Sequence, residues 1–266
     1  MKPYADHFSR LASGYAEYRP VYPEALFDYL AQVVSRHELA WDCAAGSGQA
    51  SLPLARTFRR VVATDASAEM LEQAPRHPSI EYRVAPAESS GLHDGSVDLV
   101  TVAQALHWLT LPPFYAEARR VLVPGGILAA WTYGAGKLNH GPLDKVLDHF
   151  YWRVVGPYWP RERCHVESGY QTLPFPFVEI RPPSFDMHSQ WTLPQLLGYI
   201  GTWSATQRYR ETAGHDPVEQ LGVDLARHWG DPQTSRRVTW PLSLRLGRRP
   251  PDRGSGAVTG GEVPST

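Results

Sequence analysis

Five apolar runs recur through the first half of the chain, at Leu39 to Cys43, Arg60 to Asp65, Ile80 to Ala85, Val97 to Ala103 and Gly126 to Thr132, and the gaps between them carry helical spacing or helix caps. Short strands alternating with helical segments specify a parallel sheet with crossover helices, because parallel neighbours need a long return connection. The fold class expected is α/β.

The connecting segments agree. Pro23 to Ser35 puts Leu26, Phe27, Leu30, Val33 and Val34 on one helical face, with Pro23 suited to a first turn. Ser67 is placed to cap a helix carrying Met70, Leu71 and Ala74, which Pro75 and Pro78 end. Pro112 and Pro113 open another helix running to about Leu122. Beyond Tyr133 the alternation stops, and Tyr151, Trp152, Tyr158 and Trp159 crowd a proline-rich segment that reads as an insertion over the sheet edge. Helices are expected over Leu193 to Gln207 and Pro217 to Trp229, and a last strand over Val238 to Leu246. Pro241 within that strand argues for an edge or a bulge. From Arg248 on, glycine, proline, serine and threonine dominate, so 248–266 reads as a disordered tail on a single domain, 1–247. Within that domain 1–37 reads as an amino-terminal lid or helix, 38–133 as a cofactor-binding core and 134–247 as insertion and carboxyl-terminal part.

The first strand ends on Asp42 and breaks into Cys43-Ala44-Ala45-Gly46-Ser47-Gly48-Gln49; Asp65 ends the second, seventeen residues after Gly48. A glycine turn and an acid at one sheet edge suit an adenosine-containing cofactor. Gly46 and Gly48 let the backbone approach a ligand, and the following helix start favours an anion, either a pyrophosphate or an amino-acid carboxylate. The dinucleotide fingerprint has a third glycine where this chain has Ser51, which moves weight from NAD. Asp42 can accept from an ammonium group and would repel a pyrophosphate; the alternative is an acid bonded within its own glycine loop. Asp65 can take both hydroxyls of a ribose, or serve the following helix N-terminus. Ala87-Glu88 after the third strand can frame an adenine.

Together with Thr64-Asp65-Ala66-Ser67, Asp94-Gly95-Ser96-Val97-Asp98-Leu99-Val100 and Ala103-Gln104-Ala105-Leu106-His107-Trp108, these segments resemble the successive motifs of class I S-adenosylmethionine-dependent methyltransferases of the type 11 domain. Tyr15 to Pro23 and Gly201 to Ala205 are similar to the branch that includes trans-aconitate methyltransferase-like enzymes. The likeness covers roughly residues 8 to 247 and departs at Ala44, where glycine is commoner. It implies a Rossmann-like, doubly wound seven-stranded sheet with an antiparallel last strand, and S-adenosyl-L-methionine as cofactor. It adds Ala44, Gln49, Ala66, Met70, Ala87, Gln104 and Ala105 to Asp42, Gly46, Gly48, Asp65 and Glu88 as cofactor-binding residues.

Methyl transfer from a sulfonium needs the nucleophile, methyl carbon and sulfur held in line. Tyr15, Tyr18 and Trp108 are candidates to face the sulfonium by cation–π attraction, and Trp203 with the Tyr151 to Trp159 cluster to line an acceptor site. His107 is a candidate general base or hydrogen-bond donor. Arg19 is the candidate cation for a carboxylate acceptor, which needs no base because it is ionised at neutral pH. The leading expectation is O-methylation of a small-molecule carboxylate; the rivals are an NAD-dependent oxidoreductase and a non-catalytic cofactor-binding protein.

Other classes find little support. The net charge is −1 and the arginines occur as separated pairs rather than a stripe, so neither nucleic acid nor an anionic membrane is expected as a partner. Two cysteines, one of them in a strand-like run, fit a reducing cytoplasm, and eleven scattered histidines lack metal-site spacing. No apolar run approaches the ~20 residues of a membrane helix, and the first residues lack a signal peptide's apolar core.

Overall fold

The computed structural model describes residues 20–250. Its parallel strands are β1 (Leu39–Cys43), β2 (Arg60–Asp65), β3 (Ile80–Val84), β4 (Val97–Ala103) and β5 (Leu122–Tyr133), in the spatial order β3-β2-β1-β4-β5. Ala40 pairs with Val61 on one side and Leu99 on the other, so β1 lies at the point where the order reverses. The interior strands are almost entirely buried, as a sheet covered on both faces requires.

The two-residue period of the strands sorts the core into two layers. On one face Ala40, Leu99, Ile127, Ala129 and Trp131 meet Leu26, Phe27 and Leu30 of α1 (Glu24–Val33) and Leu54 of α2 (Ser51–Leu54). The other face carries Trp41, Val62, Val100, Val102 and Leu128. These pack on Phe114, Ala118 and Val121 of α4 (Leu111–Val121), whose first turn holds both prolines. The helix between β2 and β3, α3 (Ala68–Glu72), is capped as expected: the Ser67 hydroxyl accepts from the Met70 amide at 3.2 Å.

Beyond β5 comes β8 (Arg236–Arg248), antiparallel to it, and β8 carries both β6 (Val178–Ile180) and β7 (Phe185–Trp191) antiparallel on its other flank. The expected seven positions are thus filled by eight strands. The extra break falls at Pro182-Pro183, which supply no amide donors to a ladder. Pro241 sits where β8 passes from Tyr133, its last partner on β5, to Thr239, which exchanges both backbone bonds with Lys137 at 2.8 Å. Pro241 therefore lies just past the end of the β5 ladder, while on the other flank it pairs with Asp186 of β7, so β8 is an interior strand and not the edge that Pro241 suggested.

Two expected boundaries are corrected. The helix expected over Leu193 to Gln207 is a pair, α7 (Leu193–Gly201) and α8 (Ser204–Ala213), broken at Thr202 and the extended Trp203. The last carbonyls of α7 are taken by α8 instead of by continuing helix: Thr206 Oγ1 bonds Ile200 O at 2.9 Å and Gln207 Nε2 bonds Gly201 O at 2.8 Å. Nor does the ordered chain stop at Leu246. β8 runs to Arg248, whose guanidinium donates to Gly125 O at 2.7 Å, and the Arg249 amide bonds Gly126 O at 2.8 Å.

The remaining helices, α5 (Gly141–His149), α6 (Arg163–Glu167) and α9 (Pro217–Trp229), cover the sheet on the β5 side. No helix among the described residues is long and apolar enough to cross a membrane.

Candidate functional site at the carboxyl edge of the sheet

Loops leaving β1 and β4 diverge where the strand order reverses, which opens a crevice outside their carboxyl ends. A non-glycine residue in the left-handed region ends each strand: Ala44 and Gln104, both at φ 55°. Such a conformation costs about 1–2 kcal/mol and persists where the surroundings impose it. Gln104 is pinned by its amide to Trp131 O (2.9 Å), by Thr132 Oγ1 donating to Oε1 (2.5 Å), and by Nε2 donating to Tyr133 O (3.0 Å). The strain at Ala44 turns the chain at once into the glycine loop, where the Ala45 amide reaches across to Thr64 O at 3.0 Å.

The two glycines do different work. Gly48, at φ 77°, is buried, and a Cβ there would stand 2.9 Å from Tyr82 Oη and 3.2 Å from Ala74 Cβ. Gly46, at φ 57°, is half-exposed, and the nearest atom to a Cβ would be Met70 Cε at 3.5 Å. The first glycine thus leaves room above the loop, and the second lets the loop close on β3. Asp65 ties the loop to β2: its two carboxylate oxygens accept from the amides of Gly46 (2.8 Å) and Ser67 (2.9 Å). Each oxygen retains acceptor capacity for one further donor, as a ribose diol requires.

Asp42 lies below this loop and is fully buried. Ser51 Oγ donates to it at 2.6 Å and Thr101 Oγ1 at 2.8 Å, so one carboxylate links β1, β4 and the start of α2. This is the loop-bracing arrangement rather than an open acceptor. Ser51, which replaces the third glycine of the dinucleotide pattern, is the partner that makes it. Burial raises the Asp42 carboxyl from 3.8 to about 6 against the opposing effect of the two hydroxyls, with the nearby Asp65 charge adding to the rise.

Gln49 donates to Pro20 O at 2.7 Å, holding the point where the described chain begins. Ala66 is exposed, Met70 is buried under the loop, Ala87 and Ala105 are half-buried, and Glu88 is exposed. Tyr15, Tyr18 and Arg19 lie outside the described residues.

Along the edge from Gln104, a 3₁₀ turn over Leu106–Trp108 presents His107 and the exposed Trp108, their rings 4.7 Å apart. His107 Nδ1 meets Tyr170 Oη at 2.9 Å. Burial, with Arg163 and His165 close by, pushes the imidazole down to about 3, so it is neutral at physiological pH. Of the two roles expected of His107, general base or hydrogen-bonding group, a weakly basic neutral ring favours the second.

Beside it α6 packs on the same turn and on β5. Trp203 joins a cluster with Tyr151 (ring centroids 5.5 Å), Trp159 (5.7 Å) and Tyr199 (5.7 Å). Motif reasoning missed Arg163 and Glu167, which complete this cluster, and Tyr170, which holds His107. The only signal was the four-residue spacing of Arg163 and Glu167 inside an aromatic-rich run. Among the described residues no three His, Cys, Asp or Glu side chains are grouped to hold a metal, and both cysteines are free thiols.

The chain is similar to known proteins in sequence and fold. Residues 41–130 match a family model described as a methyltransferase domain. A Dictyostelium discoideum protein assigned as a methyltransferase is 31% identical over 250 residues, which span 92% of this chain and 95% of that protein. An uncharacterised methyltransferase of Mycobacterium tuberculosis is 37% identical over 227 residues, spanning 83% and 86%. The solved structure of a protein from Anaeromyxobacter dehalogenans, assigned as a type II methyltransferase, superposes with a TM-score of 0.83 at 47% identity. That match covers 88% of this chain and 99% of the other.

Two consequences of the loop are measurable. Because the native Asp42 holds a proton that the unfolded chain releases between 3.8 and about 6, stability from this group falls as pH rises through that window, by about 3 kcal/mol. Urea unfolding between about pH 4 and 6 should show stability changing with pH by a more positive slope in Asp42→Asn than in the wild type, since the falling contribution of Asp42 is removed; equal slopes would contradict the assignment. Ala44→Gly relieves left-handed strain against about 0.4–1 kcal/mol of added unfolded-state entropy, so its stability should be unchanged or raised by up to about 1 kcal/mol. Gln104→Gly also loses two side-chain hydrogen bonds of about 1 kcal/mol each and should be less stable than the wild type in the same measurement.

Proposed function

This chain belongs to the class I S-adenosylmethionine-dependent methyltransferases, and we propose that it passes the methyl group of S-adenosyl-L-methionine to a small-molecule acceptor, with O-methylation of a carboxylate as the leading subtype. The observation that carries the reading of the site is the pair of amide bonds from Gly46 and Ser67 to Asp65. They fix its two oxygens at the mouth of the glycine turn.

In this reading the cofactor's ribose is held by Asp65. Its amino-acid end lies against the backbone of Ala44 to Gly48, above a loop whose shape Asp42 maintains. Ala66, Met70 and Gln49 border the site on the β2 side, and Ala87 and Glu88 frame the adenine. Gln104 and Ala105 close it from β4. The cofactor supplies an electrophilic methyl group on a sulfonium. The chain's own contribution is to hold the acceptor in line with that carbon and to keep the crevice dry, worth ~7 to 11 kcal/mol at best. Trp108 offers a ring face to the cation at about 0.5–2 kcal/mol.

His107, neutral and anchored through Nδ1 to Tyr170, keeps Nε2 to orient an acceptor oxygen. A carboxylate acceptor requires no proton removal, so a weakly basic histidine suits it. The similarity of the Tyr15 to Pro23 and Gly201 to Ala205 segments to trans-aconitate methyltransferase-like enzymes supports the same acceptor class. The NAD reading loses its ground with the third glycine, since Ser51 is committed to Asp42.

Calorimetry should show S-adenosylhomocysteine binding to the wild type and no binding of NAD. Asp65→Ala should weaken the former more than tenfold; unchanged affinity would remove Asp65 from the site. Once an acceptor is in hand, kcat/KM should show no limb near pH 6.5 from His107, because the folded enzyme keeps that ring neutral down to about 3. A limb there that vanishes in His107→Asn would make it the base after all.

A further inference from the structure

We propose that Arg163 anchors the carboxylate of the methyl acceptor; the word acceptor rests on the methyl-transfer reading above, the anion site itself does not. The guanidinium is held by one edge only. Its Nε donates to Tyr151 Oη at 2.8 Å and Glu167 Oε1 at 2.9 Å, while the terminal Nη1 and Nη2 have no hydrogen-bond partner among the described residues. The Tyr151 hydroxyl bonds the same Glu167 oxygen, so both partners of Nε are themselves fixed. An arginine wanted only to pair with Glu167 would present its two-pronged end to that carboxylate. Here the side edge is spent on Glu167, and the fork that matches a planar two-oxygen anion is left over.

The surroundings orient that fork. The guanidinium lies over the Trp159 ring at 4.4 Å and the Tyr151 ring at 5.5 Å, and the side chain is only 20% exposed. Neither terminal nitrogen is among the buried unpaired atoms, so the fork opens to solvent, where an incoming anion can reach it. A second donor in the cluster lacks an acceptor outright: Trp159 Nε1 is buried and has no hydrogen-bond partner among the described residues. One unpaired indole N–H beside an unpaired guanidinium fork makes a donor set lacking its acceptor. Trp203 and Tyr151 supply apolar walls for the body of the molecule that carries the anion.

The position suits the reaction. A Cβ at Gly134, just past the end of β5, would stand 3.5 Å from Glu167 Oε2, so the cluster lies off the carboxyl edge of the sheet. The Arg163 charge is close enough to His107 to depress its proton affinity. Arg163 and His107 thus border the same end of the crevice, on the β4–β5 side, away from Asp65.

The test uses phenylacetate, its neutral isostere phenylacetamide, and phenyl phosphate, titrated by calorimetry into the full-length protein, alone and saturated with S-adenosylhomocysteine. The wild type should bind phenylacetate at least tenfold more tightly than phenylacetamide. Arg163→Gln should abolish that preference, and Arg163→Lys, which keeps the charge without the fork, should lose most of it. Trp159→Phe should weaken phenylacetate a fewfold, and S-adenosylhomocysteine affinity should stay unchanged in all three. Equal binding of the acid and the amide by the wild type, or a preference surviving in Arg163→Gln, would overturn the proposal. Tighter binding of phenyl phosphate than of phenylacetate would overturn the carboxylate assignment. If Arg163→Gln does not fold, retention of the full preference by Arg163→Lys overturns the fork argument. Failure of the wild type to bind S-adenosylhomocysteine would sink the donor reading, while titration of the protein alone still decides Arg163.

Discussion

The buried carboxylate of Asp42 is where three elements meet. It is a β1 residue that takes hydroxyl hydrogens from Thr101 of β4 and Ser51 of α2, with no exposure to solvent. An ionised carboxylate buried this way would be costly without such partners, and even with them it gives up its proton only near 6. What the arrangement secures is geometry. The distance between β1 and β4 is already set by the ladder, but the direction in which the chain leaves β1 is not. A short helix starting at Ser51 and bonded back to Asp42 forces the intervening residues into a compact loop. That loop places the Gly46 amide on Asp65 and so joins β2 to the same edge.

A consequence is that strain collects at the two strand ends that flank the crevice. Ala44 and Gln104 share a left-handed backbone on adjacent parallel strands, and only Gln104 has side-chain bonds to hold it there. Ala44 is held from below by the Asp42 brace. The proposed donor half of the site is therefore shaped mainly through backbone, with Asp65 taking loop amides and Asp42 bracing the loop through the Ser51 and Thr101 hydroxyls.

That division explains what could be read from the chain. β1 to β5 were legible because each is a short apolar run with its own punctuation, and the Ser67 cap and glycine turn are local chemistry. The break of β6 from β7 at Pro182-Pro183 had a local cause as well, but only its pairing with β8 shows that both flank one strand. The split at Trp203 was hidden because Leu193 to Gln207 keeps its helical period straight through it. The carbonyls that α8 takes over belong to a tertiary contact that a period does not report. Arg248 and Arg249 read as the start of a tail by composition, yet backbone and guanidinium bonds to Gly125 and Gly126, over a hundred residues earlier, hold them in the sheet.

The proposed acceptor half was the least legible because it is made of side chains from distant elements. His107 stands in a motif, but its protonation state depends on Tyr170 and Arg163, sixty-three and fifty-six residues further on. A neutral imidazole next to a fixed guanidinium is an odd pairing for proton abstraction, since the cation opposes any positive charge on the ring. It is a reasonable pairing for holding an anion: the cation supplies the attraction, and the neutral ring donates or accepts a hydrogen bond without competing for the charge. The same electrostatics that make His107 weakly basic are in keeping with the proposed acceptor, which arrives already ionised. In the proposal made above, selection of that acceptor falls to Arg163 rather than to the glycine turn.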